Sequence, residues 1–347
     1  MREPAFWYRP RSLLSLALRP LGALYGAITS RRMARPGFQA PIPVLCVGNY
    51  HLGGAGKTPT VLALSALLRE LGETPVVLSR GYGGRLGGPV LVDPESHKAG
   101  DVGDEPLMMA RRVKVVVARD RVQGVALARS SGATVLVMDD GFQNPSLTKD
   151  LSLIVADGGR GIGNEAVFPA GPLRAPLKAQ LERSDALIVI GAGEAGKRLA
   201  VVAGTIACLR ATLVADEGAL AALRAGPVLA FAGIGDPGRF FRSLSAHGID
   251  VAESRSFADH HVFGEAEIRD LLAAAARGGW KLVTTEKDLA RIAGMEGFEV
   301  WGEAISVLPV QLEFADQAAW RGLIVRALQR AKMRRGQADA GLASREG

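Results

Sequence analysis

The tightest constraint on this chain is a short apolar run that breaks into a glycine-rich loop and then into a helical pattern. Val44-Leu45-Cys46-Val47 reads as a buried strand, Gly48-Asn49-Tyr50-His51-Leu52-Gly53-Gly54-Ala55-Gly56-Lys57-Thr58 follows, and residues 60–71 carry helical periodicity stopped by Gly72. Strand, glycine loop and helix in that order build a phosphate cradle. The glycines let backbone N–H groups turn inward, the helix N-terminus adds positive potential, Lys57 reaches the β- and γ-phosphates, and the Thr58 hydroxyl is placed to ligate Mg²⁺. Gly53, Gly54, Ala55, Gly56, Lys57, Thr58 and Pro59 are therefore the candidate nucleotide-binding residues. The loop departs from the usual GxxxxGK[ST] pattern at its first glycine, where His51 stands.

Such a loop needs an acidic residue at the end of a neighbouring strand to hold the Mg²⁺ shell. Val135-Leu136-Val137-Met138 ends in Asp139-Asp140-Gly141, which fits that role and makes Asp139 and Asp140 candidate metal residues with Thr58. Further apolar runs at 75–78, 113–118, 151–156 and 186–190 alternate with helical patterns. Residues 37–205 therefore read as a mostly parallel sheet covered on both faces. At 347 residues the chain has room for two α/β units. After a linking strand at 204–214 the pattern restarts, with strands at 228–232 and 281–285 and a helix at 237–247, so residues 206–333 read as a second, smaller α/β domain. Its terminal helix is expected at 315–333, followed by a polar, fraying tail at 334–347.

Gly233-Ile234-Gly235-Asp236-Pro237-Gly238 formally matches a dinucleotide fingerprint. Asp236 as a helix N-cap with Pro237 at the first helical position explains the turn without a ligand. His260 and His261 follow Asp259 in a loop; histidine exchanges protons near neutrality, but a lone loop histidine is more often a surface residue.

Charge separates the N-terminus from the rest. The chain carries +7, yet residues 1–36 hold Arg2, Arg9, Arg11, Arg19, Arg31, Arg32 and Arg35 against Glu3 alone, a local +6. A uniformly basic nucleic-acid binder is thereby disfavoured. Leu14, Leu18, Leu21, Tyr25 and Ile28 recur at helical spacing, while Ser12, Ser15, Arg19, Gly22 and Gly26 share another face. With Phe6, Trp7 and Tyr8 and the arginines at its ends, this amphipathic helix fits an anionic membrane interface better than packing on its own domain. No stretch of about 20 uninterrupted apolar residues exists, so a spanning helix is not expected. A cleaved signal peptide is disfavoured too, because Arg19 interrupts any apolar region of one. Cys46 and Cys208, far apart, exclude a thiolate zinc site and a disulfide framework and fit a reducing compartment.

Taken in order, several blocks resemble the tetraacyldisaccharide 4'-kinase family of the lipid A pathway. They are Val47-Gly48-Asn49 with residues 53–59, Ser79-Arg80-Gly81-Tyr82-Gly83-Gly84, Gly103-Asp104-Glu105-Pro106, Asp139-Asp140-Gly141-Phe142-Gln143 and Pro169-Ala170-Gly171-Pro172-Leu173-Arg174. Ala232-Gly233-Ile234-Gly235 with Arg239-Phe240-Phe241, Asp259-His260 and Thr285-Glu286-Lys287-Asp288 complete the set. The resemblance implies two hinged α/β domains, with ATP and Mg²⁺ on the first. It implies transfer of the γ-phosphate to the 4'-hydroxyl of a membrane-held tetraacyldisaccharide 1-phosphate, giving lipid IVA, by a peripheral enzyme on the cytoplasmic face of the bacterial inner membrane. No nucleic acid and no obligate protein partner are implied. Asp104 and His260 match the family's catalytic pair with Lys57 on the phosphates, and Arg80, Tyr82, Gln143 and Arg174 are carried over as substrate residues. Asn144 stands where the family usually has His, and Ala175 where it usually has Glu. The second departure leaves the acidic role to Asp139 and Asp140 or a wetter Mg²⁺ shell. The rival from another class is a membrane-recruited P-loop ATPase switch, which would hydrolyse ATP with partner or membrane alone.

Overall fold

A computed structural model describes residues 4–9 and 12–346. Arg2, Glu3 and Arg11 of the basic segment lie outside the described residues. The strands, in chain order, are β1 (Val44–Gly48), β2 (Pro75–Ser79), β3 (Val90–Leu91), β4 (Lys114–Val117), β5 (Val135–Asp139), β6 (Leu151–Asp157), β7 (Ala186–Ile190), β8 (Ala207–Ala215), β9 (Val228–Ala232), β10 (Val251–Ser256), β11 (Lys281–Thr284), β12 (Ile305–Val307) and β13 (Val310–Phe314).

One sheet has nine strands in the order β13-β8-β7-β6-β1-β5-β2-β4-β3, parallel except for the antiparallel edge strands β13 and β3. Its central strands are runs of Val, Leu and Ile because both faces are covered. Leu45 and Val47 of β1 face the core under helices Lys57–Glu70 and Gln317–Glu346, with Val61, Leu64, Trp320 and Ile324. Val44 and Cys46 face the opposite core, with Val125 and Leu199 of helices Arg121–Ser130 and Glu194–Ala203. This period-two division of one strand between two cores is what a doubly covered sheet requires. The chain passes from β5 on one side of β1 to β6 on the other, so β1 lies where the winding reverses and its carboxyl end faces the crevice that ligands use in such sheets.

The second sheet is β10-β9-β11-β12, parallel throughout. Phe240 and Leu244 of helix Pro237–Ala246 cover one face, and Ile268 and Leu271 of helix Glu265–Gly278 cover the other. The segment expected to link the two units is instead β8, a full member of the nine-stranded sheet, and β13 returns to pair beside it. The terminal helix also runs past Met333 to Glu346, and Arg334 and Arg335 in it grip the buried carboxylate of Asp150.

At the N-terminus a helix spans Leu13–Met33, with Ser12 as its cap and Pro20 inside it. The periodicity was legible, and the small-residue face is the docked one: Ser15, Gly22, Gly26 and Met33 are buried. Leu14, Leu21, Tyr25 and Ile28 are exposed, as are Leu13, Leu16 and Leu24. With 21 residues and a mean hydropathy of 1.2, the helix is long and apolar enough to cross a membrane by length and composition, which the interrupted run alone did not indicate. Trp7 departs from the expected headgroup position. Its indole is buried edge-on against Phe168 and donates Nε1–H to the Pro169 carbonyl at 3.1 Å.

Candidate active site

The phosphate loop sits between β1 and the helix Lys57–Glu70. Gly56 caps that helix at φ +90°, a left-handed backbone that favours glycine, and a Cβ there would also press on the tip of Ile190, 2.5 Å from its Cδ1. Position 51 has no such demand. His51 pairs as an antiparallel bridge with Leu173 and keeps a negative φ, which is why a side chain is tolerated where the usual pattern has glycine. Asn49 Nδ2 donates to the Gly53 carbonyl at 3.0 Å and fixes the loop's mouth.

Register then brings the acids alongside, because Val47 of β1 pairs with Asp139 of β5. Asp139 is buried, and its Oδ2 accepts from Ser79 Oγ at 3.2 Å while Oδ1 has no partner. Burial, reinforced by the charges of Glu105 and Asp140, pushes its pKa up to about 7. Asp140 follows at φ +47° and is gripped by Arg174, with Nη1 on Oδ1 at 2.9 Å and Nη2 on Oδ2 at 3.2 Å. Lys57 Nζ lies 3.7 Å from the same carboxylate. Burial would raise Asp140, but Lys57 and Arg174 hold it below the usual carboxylate range.

This donor set suits Mg²⁺. The orphaned Oδ1 of Asp139 and the buried Thr58 hydroxyl are hard oxygen ligands, and among the described residues no cluster of three His, Cys, Asp or Glu side chains forms a closed metal cage. Mg²⁺ in phosphate sites takes few protein ligands and completes its shell with water and phosphate oxygens. Ala175 lies fully buried in the apolar cluster with Tyr50, Phe142 and Leu173. Asn144 caps its own turn, its Oδ1 accepting from Ser146 N at 2.8 Å.

The second cluster crosses between the sheets. Asp104 opens helix Asp104–Ala110, and His260 lies in the loop after β10 at φ +58°. His260 Nδ1 is 3.1 Å from Asp104 Oδ2, and Arg291 of helix Glu286–Ile292 donates to the same oxygen through Nε at 2.9 Å and through Nη2. Burial would raise Asp104, but the His260 hydrogen bond and the Arg291 charge outweigh it and hold the carboxyl far below its usual range. The hydrogen bond to Asp104 raises His260 above the usual imidazole value, against partial burial. Arg291 also binds Asp288 Oδ1 at 2.6 Å and the Gly233 carbonyl at 2.7 Å, and Lys287 pairs with Glu105. Arg291, Lys287 and Glu105 were not singled out individually in the sequence. The spacing of Lys287, Asp288 and Arg291 on one short helix was the signal, but the carboxylates that Lys287 and Arg291 reach across to, Glu105 and Asp104, belong to the other sheet.

Of the carried-over substrate residues, Tyr82 stands edge-on to the His260 ring with centroids 5.7 Å apart. Arg80, beyond the end of β2, is exposed and makes no hydrogen bond or ion pair among the described residues. Gln143 and Arg174 are engaged internally. Gln143 Nε2 donates to the Asn49 carbonyl at 2.8 Å and to Gln180 Oε1 at 2.9 Å, bracing the loop from behind. The glycine turn at Gly233 is structural as well: Asp236 caps its helix, accepting from Arg239 N at 3.1 Å, with Pro237 in the first turn.

A phosphate cradle on the nine-stranded unit, with a carboxylate of that unit meeting an imidazole of the second, is equipped to move a phosphoryl group onto a hydroxyl, which makes the molecule a P-loop phosphotransferase of two α/β units. A family model described as tetraacyldisaccharide-1-P 4'-kinase matches residues 14–329. The chain belongs to that family. It is 66% identical over 337 residues to the tetraacyldisaccharide 4'-kinase of Bradyrhizobium diazoefficiens, covering 96% of this chain and 99% of that one. It is 59% identical over 337 residues to the enzyme of that name from Nitrobacter winogradskyi, with 96% and 99% covered. Among solved structures, "apo" form LpxK from Aquifex aeolicus in complex with ATP is 28% identical with a TM-score of 0.73, covering 91% of this chain and all of that one.

Proposed function

We propose a division of labour for the kinase reaction in which the nine-stranded unit holds MgATP and the four-stranded unit supplies the imidazole that receives the acceptor's proton. The reaction is transfer of the γ-phosphoryl of ATP to the 4'-hydroxyl of a tetraacyldisaccharide 1-phosphate, a step of lipid A synthesis. The observation that carries the division is the 3.1 Å contact of His260 with Asp104, made between the two sheets.

Backbone N–H groups of residues 53–58 bind the phosphates, and Lys57 places its charge where the transferring group gains negative charge. Thr58 and Asp139 would hold Mg²⁺, which supplies charge neutralisation at the β- and γ-phosphates. Arg174 keeps Asp140 turned aside, leaving Asp139 with the open oxygen. A neutral His260 that donates an Nδ1–H hydrogen bond to Asp104 keeps its Nε2 lone pair for the 4'-hydroxyl proton. Asp104, pinned by Arg291, is a poor proton acceptor and orients the ring instead. The hydroxyl oxygen bonds to the γ-phosphorus as the bond to the β–γ bridging oxygen breaks, and ADP leaves. Tyr82, 74% exposed beside His260, lines the acceptor's approach.

The exposed leucine face of Leu13–Met33, with Arg9, Arg19, Arg31 and Arg32 exposed near it, sets the enzyme on an anionic bilayer surface at the cytoplasmic face of the inner membrane, where the acylated acceptor is held. Transfer of labelled γ-phosphate to purified disaccharide 1-phosphate tests the reaction. Product should form only with acceptor, and Lys57→Ala should lower turnover by roughly 10²–10³ while the protein stays folded. ATP hydrolysis on vesicles without acceptor, or near wild-type transfer by Lys57→Ala, would contradict it.

A further inference from the structure

The seat of the N-terminal helix is also the support of the phosphate loop. Ser15 Oγ, buried, donates to the Ala170 carbonyl at 2.7 Å, and Asn164 Nδ2 donates to both Ser15 Oγ at 3.0 Å and that carbonyl at 3.1 Å. Gly22 packs so closely that a Cβ there would lie 2.7 Å from the Val167 carbonyl oxygen, and Tyr25 meets the Phe168 ring. The segment so gripped then folds onto the nucleotide loop. Phe168 N donates to the Leu173 carbonyl at 2.9 Å, Leu52 N to the Pro172 carbonyl at 2.9 Å, and Arg174 N to the Tyr50 carbonyl at 2.9 Å. Arg174 Nε reaches the His51 carbonyl at 3.1 Å, and its Nη atoms hold Asp140 beside Lys57.

We propose that the Leu13–Met33 helix is a positioning element of the nucleotide site, acting through residues 164–174 on Arg174 and the first half of the phosphate loop. The inference rests on the reading of residues 53–58 as the MgATP cradle. Docking removes freedom from a segment that carries five contacts to the loop and its acid, so a docked helix stabilises the arrangement that binds nucleotide. Coupling between two equilibria is reciprocal, so bound MgATP must in turn tighten the helix on its seat. Loading of the helix by a bilayer and filling of the nucleotide site would thus reinforce one another.

MgATP affinity of the full-length protein, measured by calorimetry in one detergent buffer without vesicles or acceptor, isolates this coupling from membrane recruitment. Gly22→Leu, which pushes the helix off the Val167 carbonyl, should weaken MgATP binding roughly fivefold or more, the lower end of typical couplings. Ser15→Ala, a milder change that deletes one donor and one acceptor, should weaken it in the same direction. In the unmodified protein, MgATP should slow amide hydrogen exchange across residues 13–33 and 164–173, a readout that a merely scaffolding helix would not move. MgATP affinity of Gly22→Leu within about twofold of wild type, or helix exchange indifferent to MgATP, overturns the proposal. A wild-type protein that binds no MgATP overturns the cradle reading and this inference with it, whereas normal wild-type binding with unmoved variants overturns this inference alone.

Discussion

At Asp104 one carboxylate oxygen serves the His260 ring and two nitrogens of Arg291, while the other accepts the Glu105 N–H at 2.9 Å. Such crowding suits an orienting anion more than a base. The two partners shift in opposite directions with opposite consequences for pH. Asp104 is depressed, so its contribution to stability is present above its unfolded value of about 3.9 and is lost as pH falls through the lower folded value. His260 is raised, so its contribution is present below about 6.5 and is lost as pH rises through the higher folded value. If His260 takes the acceptor's proton, as proposed, catalysis needs the ring neutral. The acid limb of kcat/KM should therefore lie above about 6.5 in the wild type and move down in Asp104→Asn, which removes the charge that raises the imidazole. Paired pH–rate profiles check this, and an unmoved limb would detach His260 from the chemistry.

Among elements, the N-terminal helix separates what sequence encodes from what packing decides. Its exposed leucines contact no core, so replacing Leu13, Leu16 and Leu24 together by Ser should leave thermal unfolding nearly unchanged. Binding to anionic vesicles should fall by about tenfold or more, since full burial of each leucine is worth roughly 1.5–3 kcal/mol. Co-sedimentation at fixed lipid reads the result. The helical period was visible, but burial of the Ser15–Gly22–Gly26 face depends on the fit to Val167 and Ala170, more than 140 residues away. Strand β1, its loop and β5 were legible because buried parallel strands are unbroken apolar runs. Strand β10 was not, since Val-Ala-Glu-Ser-Arg-Ser alternates on an edge with one face wet, and β8 and β13 revealed their sheet only through the pairing of β8 with β7 and of β13 with β8. The nucleotide loop and acids were local patterns. Arg291 was hidden because its partners Asp104 and Gly233 lie 187 and 58 residues away.

The whole molecule is two sheets fastened by ion pairs at their crevice. Arg291 with Asp104, Lys287 with Glu105, and Arg112 with Glu286 at 2.5 Å lie on one side. Arg239 with Asp157 at 2.6 Å and Arg160 with Asp236 at 2.9 Å hold another. Only the first is nearly dry, with both side chains under a tenth exposed, so it carries the largest penalty if broken. Arg291→Met strands Asp104 and Asp288 without their cation and should cost about 3–5 kcal/mol, seen as a lower midpoint in denaturant. If the two sheets form one site, Asp104 and His260 must act as a unit. The most direct test is kcat for phosphate transfer to the disaccharide acceptor by wild type, Asp104→Ala, His260→Ala and the double variant. Each single change should lower kcat by roughly 10²–10⁴, and the double should be no more than about threefold worse than the poorer single. Multiplying losses, or a His260→Ala enzyme within about threefold of wild type, would contradict a site assembled from both sheets.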